Sequence, residues 1–376
     1  MVTARPPDPS PAVLVMRGDR VESRHRVSYA LADASGTLVG GHGDLAGPVY
    51  PRSAIKPIQA LAIVESGAAE AFSVTDREIA IACGSHSGEP LHVETVRAWL
   101  ARLGLDEGAL ACGAHPPFDP DAAARLHLAG AQVGAVHNNC SGKHTGMLTL
   151  ARHLGAGLAG YVGAGHPVQQ RIAATLGEIA GVGLGAPATD GCGVPTWPMP
   201  LANLAAALAR LGDPSGLASA RAAACRRITA AMIAHPQMVA GTARPCTQIM
   251  QAVPGLVVKS GAEGVHVASL PSQRLGLALK VEDGAARAAP VALIGLLDAL
   301  GVLDDASRSA LSQLSRPKLR NHAGRTVGAI RLAEGWPPLN QGLGHALHRG
   351  QDRAKSEAGQ ESRTADERPQ DGRGER

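Results

Sequence analysis

Ser53 and Lys56 form the first pair in this chain whose residue types and spacing could do chemistry. They stand three residues apart in YPRSAIKPIQALAIVESG, a segment typical of a loop that turns into a helix. Residues three apart share a helix face, so Ser53 Oγ and Lys56 Nζ can meet. A desolvated lysine beside other cations can be neutral enough to take the proton of a serine and make it a nucleophile. Most S-x-x-K matches lie on solvated helix faces, so the pair needs a second motif.

Lys259, Ser260 and Gly261 supply that second motif. They end the apolar run GLVVKSG, just before another predicted strand. Serine acyl enzymes of the penicillin-recognising type combine S-x-x-K at a helix start with a K-[ST]-G box on a strand. Alone, KSG is more often an ordinary strand end with a turn glycine than a functional motif. Because both motifs occur at the expected ends of their elements, together they favour an active site.

Two polar loops could join this chemistry. In GSHSGE, residues 84–89, Ser85 would add a second hydroxyl to a shared network of proton transfers. The alternative is a helix-capping turn with Ser85 or Ser87 as the cap, which is the better interpretation without the other motifs. In GTAR, Arg244 could bind a substrate carboxylate, since the planar guanidinium matches that group.

Two further Gly-flanked loops, HNNCSGKH and DGCGVP, contain Cys140 and Cys192. The Gly-Lys pair in the first loop does not make a phosphate-binding loop, because the earlier spaced glycine is missing and a histidine follows the lysine. Two single cysteines about fifty residues apart, without C-x-x-C spacing, are weak evidence for zinc, so spacing alone favours two loop thiols. The neighbouring Lys143, His144 and Asp190 would nevertheless suit a supported metal ion.

The elements that must position these residues change in type along the chain. Alternating apolar residues predict strands at 13–17, 25–32, 37–41, 256–259, 265–270 and 275–281. Helical spacing prevails between the two groups of strands, over 53–227, and a further helix is predicted at 289–303. Strands at both ends around a helical middle predict an α+β fold, with one terminal antiparallel sheet, an inserted helical lobe and a cleft between them.

The expected domain organisation follows from this pattern. A single catalytic domain lies between a short disordered start and an extension with a disordered charged tail, in which half of residues 349–376 are charged. The predicted bounds are 1–10 for the start, 11–330 for the domain (sheet lobe 11–52 and 250–330, helical lobe 53–249) and 331–376 for the extension.

Composition excludes several classes of protein. Aromatic residues make up only 2% of the chain and the net charge is +4, which argues against a nucleic-acid partner. No apolar run approaches the roughly 20 residues of a membrane-spanning helix, and the start lacks the pattern of a signal peptide. Six cysteines spread over a chain of 376 residues do not suggest a disulfide framework. We therefore expect a cytoplasmic protein with no membrane partner.

Six ordered motifs together resemble the L-asparaginase II family, the class 3 or Rhizobium-type asparaginases. They are SAIK, ACGSHSGE, NNCSGKHTGML, TDGCGVP, MVAGTAR and KSGAEGVH, and the resemblance covers roughly residues 10 to 330. It implies a fold similar to serine β-lactamases, penicillin-binding proteins and glutaminases. It also implies a homodimer that hydrolyses L-asparagine to L-aspartate and ammonia. The segment after Arg331 matches nothing in the family pattern.

The resemblance also implies roles for individual residues. Ser53 would be the nucleophile with Lys56 as its base, and Ser85 with Lys259 would form a second Ser-Lys pair in the same pocket. Two alternatives remain at this stage. One is a related serine amidohydrolase acting on glutamine or a β-lactam, and the other is a non-catalytic relative that binds zinc or an amino acid.

A zinc ion is the cofactor that the resemblance implies. Cys140, Lys143 and Cys192 would ligate it with a water as fourth ligand, and the ion would position substrate more than activate the attacking water. A lysine must be neutral to bind a metal ion, so such a site would be sensitive to pH. Asp190, His144 and Arg244 would surround the substrate or support the ligands.

Overall fold

The computed structural model describes residues 10–339, in which strands at both ends flank a helical middle. The strands are β1 (Pro11–Arg17), β2 (Arg20–Asp33), β3 (Leu38–His42), β4 (Pro48–Val49), β5 (Ala188–Thr189), β6 (Pro195–Thr196), β7 (Met199–Pro200), β8 (Val257–Ser260), β9 (Val265–Leu270), β10 (Leu275–Val281), β11 (Lys318–Arg320) and β12 (Thr326–Leu332). The helices are α1 (Lys56–Glu65), α2 (Ala68–Ala71), α3 (Asp76–Ala82), α4 (Pro90–Arg102), α5 (Pro120–Leu128), α6 (Ser141–His153), α7 (Pro167–Ala180), α8 (Leu201–Gly212), α9 (Ser219–Ala234), α10 (Pro236–Val239), α11 (Pro245–Ala252), α12 (Ala289–Ala299), α13 (Asp305–Ala310) and α14 (Ser312–Ser315).

Both ends of the described chain build one antiparallel sheet. Its strand order is β11-β12-β1-β2-β10-β9-β8, and β3 pairs with β2 as an eighth strand. The first strand meets the last in the register Val13↔Leu332, and β2 meets β10 in the register Leu31↔Leu277. The predicted α+β class, with a terminal antiparallel sheet and an inserted helical region, is confirmed.

Helices cover the sheet because its central strands are apolar on both faces. Strand β9 is buried along its whole length, and both α8 and α12 pack against it. Gly276 permits the approach of α8, since a Cβ at this position would lie 2.0 Å from the carbonyl oxygen of Ala205. The remaining helices before β8 pack mainly on one another around α1, α3 and α6. They form the lobe that faces the β8 edge of the sheet.

Two features near the end of the described chain complete the fold. Strand β12 extends past the predicted domain boundary at 330, and the buried Trp336 packs edge-on against Tyr29. Residues 1–9 of the predicted disordered start and residues 340–376 of the predicted extension with its charged tail lie outside the described residues. Within the described residues, no helix has the length and apolar character required to span a membrane.

Candidate active site

Lys56 is buried at the first position of α1 and points away from its own helix. The preceding 3-10 turn, Arg52–Ile55, is the entry turn of α1. Lys56 Nζ donates hydrogen bonds to the carbonyl oxygens of Gly84 and Asn139, at 2.6 and 3.4 Å, and to Ser85 Oγ at 3.0 Å. This lysine therefore joins α1 to the 84–89 loop and to the segment before α6.

Lys259 reaches the same hydroxyl from the sheet. It lies near the end of β8, and its Nζ donates to Ser85 Oγ at 3.0 Å and to the carbonyl oxygen of Ser260 at 2.6 Å. Both lysines are 1% exposed. Burial lowers the pKa of Lys259 to about 7, and the charge of Lys56 contributes to the shift. Lys259 can therefore be neutral at physiological pH while Lys56 faces it across Ser85.

Ser53 lies in the entry turn of α1 and is half-buried. Its Oγ makes no hydrogen bond to any residue within 10–339, whereas the lysine three residues later bonds to Ser85. Arg52, directly before it, has a left-handed φ of 51°, an unusual conformation for a residue with a side chain. The structure thus brings Ser53, Lys56, Ser85 and Lys259 together around one corner of the molecule, with Ser85 as the hydroxyl shared by both lysines.

Gly261 explains why the end of β8 can reach the entry turn of α1. A Cβ at this position would lie 2.4 Å from the carbonyl oxygen of Pro51 and 3.3 Å from the Cβ of Ala54. Only a glycine permits this approach, because the nearest atom belongs to the main chain and cannot swing away. The third residue of the KSG motif therefore sets the distance between the Lys259 strand and the Ser53 turn.

The serines of the 84–89 loop connect parts of the site and do not cap a helix. Ser85 N donates to the carbonyl oxygen of Val239 at 2.8 Å, and Ser87 Oγ donates to that of Ala240 at 2.9 Å. Glu89 is the residue that precedes α4, so the interpretation of Ser85 or Ser87 as the cap is wrong. Both serine side chains are instead committed to contacts inside the site.

Two stacked histidines hold this loop in place. The rings of His86 and His92 lie 4.9 Å apart at 19°. His86 Nδ1 accepts the backbone N–H of Gly88, and His86 Nε2 lies 2.8 Å from Ser141 Oγ. His92 Nδ1 accepts the backbone N–H of Glu89, and His92 Nε2 lies 2.9 Å from the carbonyl oxygen of Gln237. Burial lowers the pKa of both rings, which keeps them neutral. No sequence pattern indicated this role of His86.

Cys140, Lys143 and Cys192 form a second buried cluster beside the lysines. Cys140 immediately precedes α6, Lys143 lies in its first turn, and Cys192 lies in a turn where Gly193 has a φ of 87°. Lys143 Nζ donates to Cys192 Sγ at 2.9 Å, and the two thiols share a hydrogen bond. Lys56 also lowers the pKa of Cys140, so this cluster lies next to the Ser-Lys site.

Charge in this cluster is distributed unevenly. The hydrogen bond with Cys192 holds the pKa of the Cys140 thiol well below its ordinary value, against the effect of burial, while the same bond and burial raise the pKa of Cys192. Burial opposes the charge of Lys143, but the two sulfur groups outweigh it and raise its pKa. Within residues 10–339 no group of three or more His, Cys, Asp and Glu side chains could hold a metal ion. Two thiols and an amine, of which Cys192 and Lys143 are in direct contact at 2.9 Å, are nevertheless a donor set that fits zinc once Lys143 loses its proton.

Asp190 connects the thiol cluster to the entry turn of α1. Its Oδ1 lies 2.5 Å from Arg52 Nε and accepts the Gly191 N–H at 2.7 Å. Burial opposes its charge, but Lys143, the Gly191 amide and Arg52 together hold the pKa of Asp190 below its ordinary value. Asp190 is therefore an anion that anchors the residue next to Ser53. Arg52 is a residue of the site that no motif indicated, apart from its position beside Ser53.

His144 and Arg244 occupy different edges of the site. His144 is buried, its Nδ1 lies 2.6 Å from the Tyr161 hydroxyl, and its Nε2 has no hydrogen-bond partner within the described chain. Arg244 is half-buried directly before α11, and its charge contributes to the low pKa of Lys259. Its guanidinium lies 5.7 Å from the ring centroid of Phe118. Phe118 and Asn139 are members of the site that sequence reasoning missed, and only the position of Asn139 within the NNC motif offered a signal.

Comparison with known proteins gives remote structural similarities and one clear family. No curated protein matches the chain. The solved structure titled Mglu in its tris and glutamate form is 17% identical with a TM-score of 0.44, covering 74% of this chain and 59% of its own. A β-lactamase from Mycobacterium bovis, Mb2281c, is 16% identical with a TM-score of 0.37, covering 77% of this chain and 95% of its own. The chain thus spans about three fifths of the length of the first of these structures.

The family comparison covers the sheet, the helical lobe and every candidate residue named above. The family model described as L-asparaginase II matches residues 13–332. The chain therefore belongs to the L-asparaginase II family, a family of amidohydrolases.

Proposed function

We propose that this protein hydrolyses L-asparagine to L-aspartate and ammonia through a covalent acyl-enzyme on serine. The observation that carries this proposal is Ser85 Oγ, which lies 3.0 Å from both Lys56 Nζ and Lys259 Nζ beside the turn of Ser53. A buried hydroxyl between two lysines, one of them with a pKa of about 7, can pass a proton in either direction. Membership of the L-asparaginase II family supports the choice of a side-chain amide as substrate.

In the proposed reaction Ser53 is the nucleophile. Its oxygen bonds to the carbon of the substrate's side-chain amide while its proton passes to Lys56 as base. The C–N bond then breaks, and the departing nitrogen takes a proton from the Ser85 hydroxyl, which recovers one from a neighbouring lysine. Water then attacks the resulting ester and gives a proton, through the Ser85 hydroxyl, to neutral Lys259, which is the base of this step; aspartate leaves and Ser53 regains that proton. Backbone amides near Ser53 and the last strand of the site would stabilise the oxyanion.

The charges around the site suit an anionic substrate. Lys56 and Lys259 are both buried against Ser85, and Arg244 lies near enough to lower the pKa of Lys259. An amino-acid substrate carries an α-carboxylate, and a guanidinium binds such a group with two parallel hydrogen bonds. We assign this role to Arg244. Asp190 and His144 would support the substrate or the metal ligands from the other side.

We also propose that zinc binds to Cys140, Lys143 and Cys192, with water as the fourth ligand. The contact of 2.9 Å between Lys143 Nζ and Cys192 Sγ supports this set. Bound zinc would supply a positive centre that orients the substrate. Because Asp190 lies two residues before Cys192 and pairs with Arg52, the chain itself links the ligand turn to the entry turn of α1.

The deciding experiment is ammonia release from L-asparagine by the wild type, Ser53→Ala and Ser85→Ala, with L-glutamine in parallel. We expect wild-type activity on asparagine, none on glutamine, and less than a few per cent in Ser53→Ala. More activity than that in Ser53→Ala would disprove its role as nucleophile, and a fully active Ser85→Ala would disprove the shared proton path. Turnover of glutamine or a β-lactam in place of asparagine would favour a related amidohydrolase, and zinc binding without any turnover would favour a non-catalytic relative.

Two further expectations concern the whole protein. A homodimer stays a prediction, and light scattering during gel filtration measures it. A cytoplasmic location also stays a prediction, and fractionation of cells that express the full chain tests it.

A further inference from the structure

An exposed aromatic ring lies under the guanidinium of Arg244. Phe118 is one of only two phenylalanines in the chain and is 51% exposed. Arg244 Cζ lies 5.7 Å from the centroid of its ring, and the ring of His115 stacks on Phe118 at 4.6 Å and 16°. We call these three side chains the Arg244 stack. A large apolar side chain left in solvent, but in ordered contact with a cation, indicates a binding surface.

The loop that carries Ser85 fixes both sides of the stack. The carbonyl oxygen of Ser87 accepts the N–H of Asp119, the residue after Phe118, at 3.0 Å. On the other side, the carboxylate of Glu89 accepts the N–H and the hydroxyl of Thr242 at 2.8 and 2.6 Å. Because Thr242 lies two residues before Arg244, the Phe118 ring and the guanidinium are both held relative to Ser85.

His115 connects the Arg244 stack to Lys56 through Asn139. Its Nδ1 lies 2.7 Å from the carbonyl oxygen of Pro116, and its Nε2 accepts the N–H of Asn139 at 3.0 Å. The carbonyl oxygen of Asn139 in turn accepts from Lys56 Nζ at 3.4 Å. Only one residue therefore separates the stack from the buried Lys56.

Arg244 carries a charge that the protein does not neutralise. Within residues 10–339 it has no carboxylate partner, whereas Arg52 and Arg221 on neighbouring elements each have one. Its electrostatic neighbours include Lys259 and His266. A guanidinium held against an exposed ring, beside buried lysines and without a counter-ion, is complementary to an anion from solvent.

We propose that Phe118, stacked on His115, is a positioning residue that holds Arg244 for the α-carboxylate, so that the stack selects amides of amino acids with a free carboxylate. This inference rests on the proposed function and extends it, because it adds a specificity-determining residue outside the Ser-Lys chemistry. A cation–π contact at an exposed site changes affinity by about two- to fivefold, and loss of a charge-assisted hydrogen bond by about ten- to a hundredfold.

The test compares Phe118→Leu with the wild type on L-asparagine and on its α-carboxamide, which lacks the carboxylate. We expect Phe118→Leu to raise KM for asparagine about two- to fivefold with kcat unchanged, and Arg244→Gln to raise it about ten- to a hundredfold. Neither change should alter KM for the α-carboxamide. Phe118→Tyr should restore the wild-type KM, and Leu128→Ala, which removes another exposed apolar side chain from the same segment, should have no effect.

An unchanged KM for asparagine in Phe118→Leu would overturn the inference, as would an equal rise for both substrates. Calorimetry separates this result from a failure of the proposed function. If the wild type releases no ammonia from asparagine, that function fails, and binding of L-aspartate and of the α-carboxamide still decides the inference. Tighter binding of L-aspartate, weakened by Phe118→Leu, supports it, and equal binding of the two ligands overturns it.

Discussion

Acidification from about pH 8 to about pH 6 should slow the hydrolysis of asparagine by protonating Lys259. Burial and the charge of Lys56 lower the pKa of Lys259 to about 7, from an ordinary value of 10.5. A base with a pKa of about 7 is about nine-tenths neutral at the upper pH and about one-tenth neutral at the lower, so kcat/KM should fall about tenfold. The rate therefore rises with pH through neutrality and levels off above about pH 8.

The assay is initial-rate ammonia release across this range, with intrinsic fluorescence as a control for folding at each pH. Arg244→Gln sharpens the test, because loss of this neighbouring cation should raise the pKa of Lys259 and move the acidic limb to higher pH. A profile that is flat from about pH 6 to about pH 8 in the folded wild type would refute the role of Lys259 as a base.

The lowered pKa of Lys259 also reduces the free energy of unfolding, and Lys259→Met measures this effect. The folded pKa lies below the unfolded one, so the cost of burying this lysine is absent above about pH 10.5, grows as the pH falls and is complete below about pH 7. At 1.36 kcal/mol per unit, the cost at neutral pH is on the order of 4 kcal/mol, and the hydrogen bonds lost from Ser85 and Ser260 offset about 1–3 kcal/mol of it. Urea titration at pH 7 should therefore find the inactive variant more stable than the wild type. A less stable variant would show that the buried charge is well compensated.

Three further substitutions, one with a matched control, test the residues that position Ser53 and the proposed zinc ligands. Gly261→Ala should lower kcat at least tenfold, because its Cβ meets the main chain before the entry turn of α1, while Gly157→Ala, with no atom within 4 Å of its Cβ, should leave kcat unchanged. Asp190→Asn should lower kcat about tenfold by weakening the ion pair with Arg52, and equal kcat values would contradict this. Cys140→Ala should reduce the zinc content measured by elemental analysis from about one equivalent to less than half, and an unchanged content would remove the proposed zinc site.

The sequence patterns predict the sheet and the helices better than they predict the contacts in the site. The alternation around Val13 and Leu277 requires paired strands, and α4, α6, α7 and α8 lie where helical spacing predicts them. The contact that the S-x-x-K spacing suggests is different in the structure. Because Arg52–Ile55 is a 3-10 turn and α1 begins only at Lys56, Ser53 and Lys56 do not share a regular helix face, and the lysine turns to the 84–89 loop.

Residue spacing could not predict the contacts between side chains that are far apart in the sequence. Ser85 and Lys259 are 174 residues apart, and no periodicity links a loop to a strand at that distance. The motifs suggested that Ser85 could join the same network, but only the resemblance to a family paired it with Lys259. The Arg244 stack was missed because Phe118 lies in a polar turn, where an isolated aromatic residue gives no pattern.

The sheet shared by the two ends of the chain has a consequence for protein synthesis. Strand β2 leaves the ribosome long before β10, which pairs with one of its edges, and β1 is synthesised long before its partner β12. During that interval the early strands expose apolar faces and unpaired backbone groups, the features that promote aggregation of nascent chains. Lys259, to which we assign a catalytic role, also arrives with β8, so the proposed activity requires most of the domain to have emerged. Slow translation at reduced temperature, or a chaperone that shields strand edges, should therefore raise the yield of folded protein more than any change to the active site.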